Sequence, residues 1–421
     1  MAVIPSVLRV PAFREVWLAS LASNAGSWLQ VVAAGWLVLD LTGSPAAVGA
    51  LALLARAPAL LLSGHAGALA DRCDRRAVGV WTSLLQGAAA GALAVVAWSG
   101  VASVALVYVL TFAVGVGFAL GLPSMLALIP SLVAPERLPQ AVSLNAAGIN
   151  VARAVGPAIG GVTLAALGAG ACFALNAVSF LALVAALLRL PRGPAGVRAP
   201  AAPVRRAVRH ALSDAAARRL LVGMAIFAAL AAPAQELAPV VAEDLDAGPR
   251  GLGFLLGAMG AGALVGAWAL ERLTAAGLRR HRALPAATAL AGVGVGALAA
   301  APRFPLAVLA MACFGCFWIW MFAATNTAIQ LTSPRHLLGR MLGLYQLSVI
   351  GPIALGSIAI GGLAEAVGIR WALGVGAAGL VAWGLWSLTH PVPEIDRDVR
   401  TDAAAAGAAP RAQEPGAARA T

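Results

Sequence analysis

Two arginines and two titratable side chains lie inside long apolar stretches of the sequence, where they could bind a charged ligand or carry a proton. Arg56 and Arg153 could each hold an anionic or hydrogen-bonding group, and Glu236 or His65 could gain and lose a proton. An ionised side chain is costly at the centre of a bilayer unless it is paired or hydrated, so these residues are candidates for function. Glu236 is the first candidate for a proton carrier and His65 is the second.

Structural roles compete with each of these functions. The two arginines could instead hydrogen-bond to carbonyl groups, to Asn145 or to Asn150 on a neighbouring helix. Glu236 could be a hydrated acid at the membrane surface, beside Glu243 and Asp244. The residue types alone leave both alternatives open.

Further polar and aromatic side chains in the apolar stretches could line a ligand cavity. They are Asn24, Trp28, Gln30, Asn145, Asn150, Trp318, Trp320, Asn326, Tyr345 and Gln346. A cavity that is rich in Trp and has few fixed charges suits a bulky, amphipathic molecule. Each Trp could equally face lipid, so the sequence does not decide which of these side chains point inward.

The chain that positions these residues has the composition of an integral membrane protein. Of its 421 residues, 61% are hydrophobic and 11% are charged, whereas a soluble domain carries roughly 25% charged residues. A helix needs about 20 apolar residues to cross a bilayer, and its backbone must be hydrogen-bonded internally. The sequence therefore predicts an all-α membrane protein with twelve transmembrane helices. The predicted spans are 17–40, 46–70, 77–98, 102–133, 140–168, 170–190, 218–242, 251–274, 282–301, 304–331, 339–367 and 370–390.

The cationic side chains predict how these spans are oriented. All 29 of them are arginines, the net charge is +12, and they are concentrated in alternate connections between the spans. Arginine-rich connections stay in the cytoplasm against anionic lipid, so both termini are predicted to be cytoplasmic. The same distribution argues against a nucleic-acid partner. The first apolar segment, 17–39, is too long for a cleavable signal peptide and is predicted to be the first span.

The two halves of the sequence resemble each other. Gly156-Pro157 in the fifth predicted span is matched by Gly351-Pro352 in the eleventh, and a Gly-Gly pair follows each of them. Repeated halves around a central cavity are a common plan of transporters. The sequence therefore predicts two pseudo-symmetric bundles of six helices.

The composition also predicts the boundaries of these units. The six-helix bundles cover 1–190 and 218–390. The connection between them, 191–217, is rich in Pro, Ala and Arg and contains a short amphipathic pattern that predicts a helix on the cytoplasmic membrane surface. The last segment, 391–421, has no core-forming pattern and is predicted to be a disordered cytoplasmic tail.

One connection carries a dense pattern of charges. Between the second and third spans lie Gly67, Asp71, Arg72, Arg75 and Arg76. Gly67 would allow another helix to approach closely, and Asp71 could accept hydrogen bonds from a facing helix N-terminus or pair with an arginine. Contacts of this kind that form in one state and break in another would make a conformational latch.

This segment resembles the signature G-x-L-a-D-r-x-G-r-R of the major facilitator superfamily. Asp74 stands where the signature has Gly, and the twelve-span plan extends the resemblance over the whole chain. The resemblance implies a rocker-type carrier that works as a monomer, in which Asp71 and its arginines secure the outward-facing state. The opening Phe13-Arg14-Glu15-Val16-Trp17 is similar to the branch that contains bacterial siderophore exporters and macrolide-efflux-like carriers.

A second motif occupies the fifth span. Pro157 removes a backbone donor and bends the helix, while Gly156, Gly160 and Gly161 permit tight packing against a neighbour. The run is similar to the G-P-x-x-G-G motif that the superfamily associates with exporters. The resemblance therefore implies export.

These observations predict a secondary active transporter in a bacterial inner membrane that exports a drug-like or siderophore-like molecule in exchange for protons. No ATP-binding loop is present, and Cys313 and Cys316 form an isolated CxxC in an apolar run, so we expect no metal and no other cofactor. Transport of a lysophospholipid or a nutrient is an alternative. An integral-membrane enzyme or a receptor that does not transport is an alternative of another class, although the five histidines are scattered.

Overall fold

The computed structural model describes residues 6–191, 204–334 and 337–396. The side chains of Asp71 and Asn150 lie outside this described part, as do residues 192–203 of the predicted linker and residues 397–421 of the predicted tail. The described α-helices are α1 (Pro11–Thr42), α2 (Pro45–Arg72), α3 (Arg75–Trp98), α4 (Val104–Ser131), α5 (Leu138–Leu188), α6 (Val204–Ser213), α7 (Ala215–Glu236), α8 (Ala238–Asp244), α9 (Gly248–Ala275), α10 (Arg280–Ala299), α11 (Phe304–Thr332), α12 (Leu338–Val367) and α13 (Ile369–Thr389).

The described helices provide twelve apolar spans of membrane-crossing length, which confirms the predicted fold class. Eleven helical runs are long and apolar enough to cross a membrane. One of them, α5, has 51 residues and is interrupted at Gly168, where φ is 79° and ψ is 174°. That backbone conformation is accessible to glycine at little cost, and it turns the chain back across the membrane. The two arms of α5 are therefore the fifth and sixth spans.

Local sequence signals set the ends of several helices. The Ser44 hydroxyl accepts a hydrogen bond from the backbone N–H of Ala47 at the start of α2. Asp74 accepts one from the N–H of Arg76 at the start of α3. Such N-caps satisfy amide groups that have no partner within the helix. Asp74, which departs from the superfamily signature, thus has a structural role of its own.

The short helix α6 lies in the connection between the two bundles. Ala207 and Ala211 are buried, whereas Val208 and Leu212 are exposed. Its contacts with α7 and α12 attach it to the second bundle. The exposed apolar side chains are compatible with the predicted position on the membrane surface, which stays a prediction.

The segment after α13 is docked, whereas the prediction assigned it to a disordered tail from residue 391 onwards. Ile395 is 4% exposed and lies in a single helical turn. The Asp396 carboxylate accepts hydrogen bonds from the backbone N–H groups of Arg280 (2.8 Å) and His281 (3.3 Å), at the start of α10. It also lies 2.5 Å from Nδ1 of His281. Asp396, in the segment after α13, therefore caps amide groups at the N-terminus of α10 that have no partner within the helix.

We expect Asp396→Ala to lower the thermal stability of the detergent-solubilised protein by a few degrees, because losing an N-cap costs about 1 kcal/mol. Glu394→Ala is the matched control, since Glu394 is exposed in the same turn. Differential scanning fluorimetry measures the effect. Equal melting temperatures for the two variants would contradict the assigned capping role.

Candidate functional site

The two bundles meet along two pairs of helices, α2 with α12 and α5 with α9. We call the end of the bundle that carries the α2–α3 and α9–α10 connections the basic end, because Arg72, Arg75, Arg279 and Arg280 lie there. At the opposite end, α2 and α12 pack backbone to backbone. A Cβ atom added to Gly361 would lie 2.8 Å from the carbonyl oxygen of Pro45.

The backbones of α5 and α9 approach each other as closely as those of α2 and α12. A Cβ atom added to Gly253 would lie 2.7 Å from Cα of Gly161, and one added to Gly257 would lie 3.0 Å from Cβ of Ala158. Small residues permit helix axes to approach this closely in membranes. Gly161, one of the residues of the predicted export motif, therefore faces the other bundle.

The other two glycines of that motif, Gly156 and Gly160, face their own bundle. A Cβ atom added to Gly156 would lie 2.7 Å from Cβ of Trp28, and one added to Gly160 would lie 3.1 Å from Cα of Leu29. Both contacts hold the first arm of α5 against α1. The motif thus packs α5 on two sides at once, against α1 and against α9.

At the basic end, three glycines of α2 and α12 have no close neighbour among the described residues. An added Cβ atom would meet no described atom within 4 Å at Gly67 of α2 or at Gly339 and Gly343 of α12. Further along the same interface, at Gly351, the nearest atom is Cδ2 of Leu60 at 3.7 Å. The described glycine contacts between α2 and α12 are therefore close at the opposite end and absent at the basic end, and the approach predicted for Gly67 stays a prediction.

A bidentate ion pair joins the two bundles. Nη2 and Nη1 of Arg56 on α2 lie 2.5 and 3.2 Å from Oε1 and Oε2 of Glu236 on α7. Arg56 also donates to the carbonyl of Ala52 at 3.2 Å. The side chains are 26% and 8% exposed. Two residues that the sequence analysis treated separately are therefore partners, and Glu236 is buried rather than a hydrated surface acid.

A cavity of about 150 Å³ lies between the bundles. Both bundles contribute to it. Its lining residues are Trp28, Arg153, Pro157, Gln235, Leu256, Met259, Gly260, Ala263, Leu264, Ala267, Trp318 and Ile319. Of these, Arg153 alone carries a charge, so the cavity is an apolar space with one cation in its wall.

Aromatic packing fixes one side of this cavity. The ring of Trp318 lies 4.7 Å from that of Phe322, 5.5 Å from Phe314 and 5.6 Å from Phe227, between centroids. Trp318 is 5% exposed, and its indole N–H is buried with no hydrogen-bond partner among the described residues. The packing therefore holds an unused donor in a fixed orientation beside the cavity.

Tyr345 lies close to the cavity without lining it. It is 4% exposed, and its hydroxyl donates to the carbonyl of Phe322 at 3.2 Å. It interacts electrostatically with Arg153 of the first bundle. Its predicted place near the ligand is thus behind the lining residues.

Several predicted cavity residues hydrogen-bond within their own bundle instead. Gln30 is buried and accepts from Asn176 Nδ2 at 2.7 Å. Asn24 donates to the carbonyl of Ser20 at 2.8 Å. The indole N–H of Trp320 donates to the carbonyl of Gly266 at 2.6 Å. These side chains contribute to packing, and the lining does not include them.

The other candidates are spread over the molecule. Asn326 accepts from Gln330 one turn later on α11, at 2.5 Å. Asn145 is half-buried, and Gln346 and His65 are exposed. None of these belongs to the described lining of the cavity.

The arginines of the predicted latch have different surroundings. Arg76 donates to the carbonyls of Leu187 and Leu188 at 2.8 Å each, and so caps the end of α5. Arg72 is exposed and Arg75 is half-buried. Because the side chain of Asp71 lies outside the described part, the latch stays a prediction.

The described part of the chain contains no group of three or more His, Cys, Asp or Glu that could hold a metal ion. Cys313 and Cys316 are free, and Cys313 is exposed. The chemistry available at the interface is therefore that of one buried ion pair and one cationic, aromatic cavity.

The sequence matches the family described as transmembrane secretion effector over residues 4–413. The chain belongs to this family, a branch of the major facilitator superfamily. The predicted resemblance is thereby confirmed. It is a family of transporters, which decides against a membrane enzyme.

Two relatives of this secretion-effector transporter match it over most of their length. It is 28% identical to the enterobactin exporter EntS of Salmonella typhi over 382 residues, covering 89% of this chain and 91% of that protein. It is 29% identical to the multidrug efflux pump Tap of Mycolicibacterium fortuitum over 370 residues, covering 84% and 90%. Both relatives are named for export.

A solved structure shares the fold of this transporter. A bacterial homologue of the iron transporter ferroportin, in an inward-facing state, superposes with a TM-score of 0.70. The alignment covers 91% of this chain and 99% of that one, at 17% sequence identity. The shared feature is the major facilitator fold.

Proposed function

We propose that this transporter exports a hydrophobic or amphipathic small molecule from the bacterial cytoplasm in exchange for protons. The observation that carries the proposal is the ion pair between Arg56 and Glu236, which joins the two bundles and in which the Glu236 side chain is 8% exposed. The names of EntS and Tap support a siderophore or a drug as the substrate class. We further propose that the protein works as a monomer in the inner membrane.

The distribution of arginines supports the orientation. The basic end faces the cytoplasm by the positive-inside rule, with both termini on the same side. The interface is open at that end, so the conformation described above is the inward-facing one. The close glycine contacts at the opposite end then form the outer seal.

Glu236 is the proton carrier in this proposal. In the inward-facing state its carboxylate is paired with the guanidinium of Arg56. When the outer seal opens, Arg56 and Glu236 separate, and a lone carboxylate at this depth is costly. Glu236 therefore takes a proton from outside and releases it to the cytoplasm when the ion pair re-forms.

Asp71 acts at the basic end of the interface, in the outward-facing state. When substrate has bound and the basic end closes, Asp71 contacts the facing helix and compensates for the broken ion pair. Each end of the interface is thus held by polar contacts in one state and released in the other.

We expect Asp71→Asn to reduce transport by roughly tenfold, the size of a typical coupling free energy of 1–3 kcal/mol, without reducing the amount of protein in the membrane. Asp40→Asn is the matched control, because Asp40 is an exposed aspartate at the opposite end. Efflux of a transported dye and quantitative immunoblotting measure both quantities. Normal efflux by a well-expressed Asp71→Asn protein would remove the latch from the mechanism.

The function is tested by accumulation of fluorescent amphiphiles and siderophores in cells that lack their main exporters. Each compound is measured with and without the protein, before and after collapse of the proton gradient. Lower accumulation that returns on collapse is the expected result. No difference for any compound, with the protein verified in the membrane, would favour uptake, a lipid substrate or a receptor that does not transport.

A further inference from the structure

The charges around the cavity between the bundles are one-sided. Arg153 is the only ionisable side chain among its described lining residues. No carboxylate lines it, and the nearest intramembrane acid along α7, Glu236, is already paired with Arg56. The electrostatic field in the cavity is therefore that of a single cation in an apolar wall.

Two hydrogen-bond donors in this wall have no partner among the residues that the structure describes. No hydrogen bond or ion pair of the Arg153 guanidinium exists within the described residues, and the nearby Tyr345 hydroxyl donates to the carbonyl of Phe322 instead. The N–H of Trp318 is buried without an acceptor. Unpaired buried donors are costly, and an acceptor supplied by a ligand would remove that cost. No charged acceptor in the wall competes for them.

The apolar part of the wall suits a flat ring. The indoles of Trp28 and Trp318, one from each bundle, line the cavity together with Pro157 and Met259. The cavity, at about 150 Å³, is smaller than the roughly 300–1,000 Å³ of a site for a whole drug-sized molecule. The rest of a larger substrate would lie in the gap at the basic end.

We infer that this cavity selects aromatic anions: a carboxylate or similar planar anion binds Arg153, an oxygen accepts from the Trp318 N–H, and the ring packs against the indoles. The inference deepens the proposed function and rests on it for its place in transport. Amphipathic cations of the same size are rejected, because Arg153 repels them and no acid in the lining offsets that repulsion.

The test uses fluorescein and rhodamine 123, two xanthene dyes of similar size, one anionic and one cationic. Binding to the purified, detergent-solubilised protein is measured by fluorescence anisotropy. We expect fluorescein to bind roughly tenfold more tightly or better, which is the discrimination that about 1.4 kcal/mol provides. Equal binding of the two dyes, tighter binding of rhodamine 123, or no binding of either would overturn the inference.

Variants distinguish a role of Arg153 in binding the anion from a role in maintaining the structure. Arg153→Met should abolish the preference for fluorescein while leaving rhodamine 123 binding unchanged or stronger, and Arg153→Lys should restore part of it. Trp318→Phe keeps the ring packing and should weaken fluorescein binding alone. Arg250→Met is the control, since Arg250 is exposed at the opposite end. A loss of affinity for both dyes in Arg153→Met would indicate a structural role and overturn the inference.

Failure of this inference is distinguishable from failure of the proposed function. Proton-dependent export of both dyes without discrimination would overturn charge selection and leave the exporter in place. Selective binding of fluorescein by a protein that exports no compound would support the anion site and overturn the proposed export.

Discussion

Replacing Glu236 by glutamine is expected to reduce the proposed proton-driven export by roughly tenfold or more while the protein remains folded and in the membrane. Glutamine has nearly the same volume but cannot carry a proton between the two states. It also leaves Arg56 without its ionic partner, and removing one member of a buried pair costs about 3–5 kcal/mol. The side chain of Arg56 is 26% exposed, so solvent reduces that cost, and we expect efflux to fall by roughly tenfold or more.

The measurement is proton movement into vesicles that contain the purified transporter, followed with a pH-sensitive dye on addition of substrate. Glu365→Gln is the matched control. Its carboxylate also joins the bundles, because it accepts from the Ser44 hydroxyl at 2.7 Å, but in an exposed position. The double variant Arg56→Gln/Glu236→Gln should insert as well as wild type, since neither charge is left alone. Substrate-dependent proton movement by Glu236→Gln equal to that of wild type would rule out this carrier.

The second large effect is expected for Gly161→Val, which should prevent closure of the outer seal. The backbones of Gly161 and Gly253 are in contact, so a side chain at either position would force the bundles apart. Overpacking of this kind costs about 1–3 kcal/mol. The cost falls on the inward-facing state alone, so we expect that state to be depopulated and transport to fall by roughly tenfold.

Two measurements check this expectation. Efflux gives the loss of transport. In an Ala46→Cys background, an impermeant maleimide applied from outside should react faster with Gly161→Val, because Ala46 lies against Gly361 in the closed seal. Gly362→Val is the control, since an added Cβ atom there meets no described atom within 4 Å. Equal labelling and equal efflux for the two valine variants would contradict the role of the seal.

The twelve crossings could be predicted because each depends on local sequence. Long apolar runs must be helical in a bilayer, and they end where the sequence places a cap or a turn. The break between the fifth and sixth spans was predicted at the residue where the chain turns, Gly168, which has a backbone conformation that suits glycine. The docking of Asp396 was missed because composition cannot indicate which distant helix end a carboxylate will cap.

The pairing of Arg56 with Glu236 was missed for a related reason. The two residues are 180 positions apart in the sequence, so no local pattern links them. A signal was available, because one isolated cation and one isolated acid in different apolar spans each need a partner. Each of these two charges therefore indicates the other as its partner.

Which side chains line the cavity could be predicted only in part. Trp28 and Arg153 do so, whereas Gln30 bonds to Asn176 inside the first bundle. Hydrophobic periodicity separates polar from apolar faces, but here lipid, neighbouring helix and cavity are all apolar. The helix that contributes Met259 and Leu264 has no charged residue between Gly251 and Leu270 that could mark this face.

Gly161 and Gly253 meet in the outer seal through backbone atoms alone, and this affects the barrier between the two states differently from their relative populations. Interlocking side chains must change rotamer before two surfaces part, but Gly161 and Gly253 have none. Their separation loses dispersion contacts that are individually small. The contribution of these glycines to the barrier between the states is therefore low, whereas the ion pair stabilises one state and so raises its population. Substitutions at the charges should thus change the resting population with little change in the barrier, whereas a larger side chain at either glycine should change both.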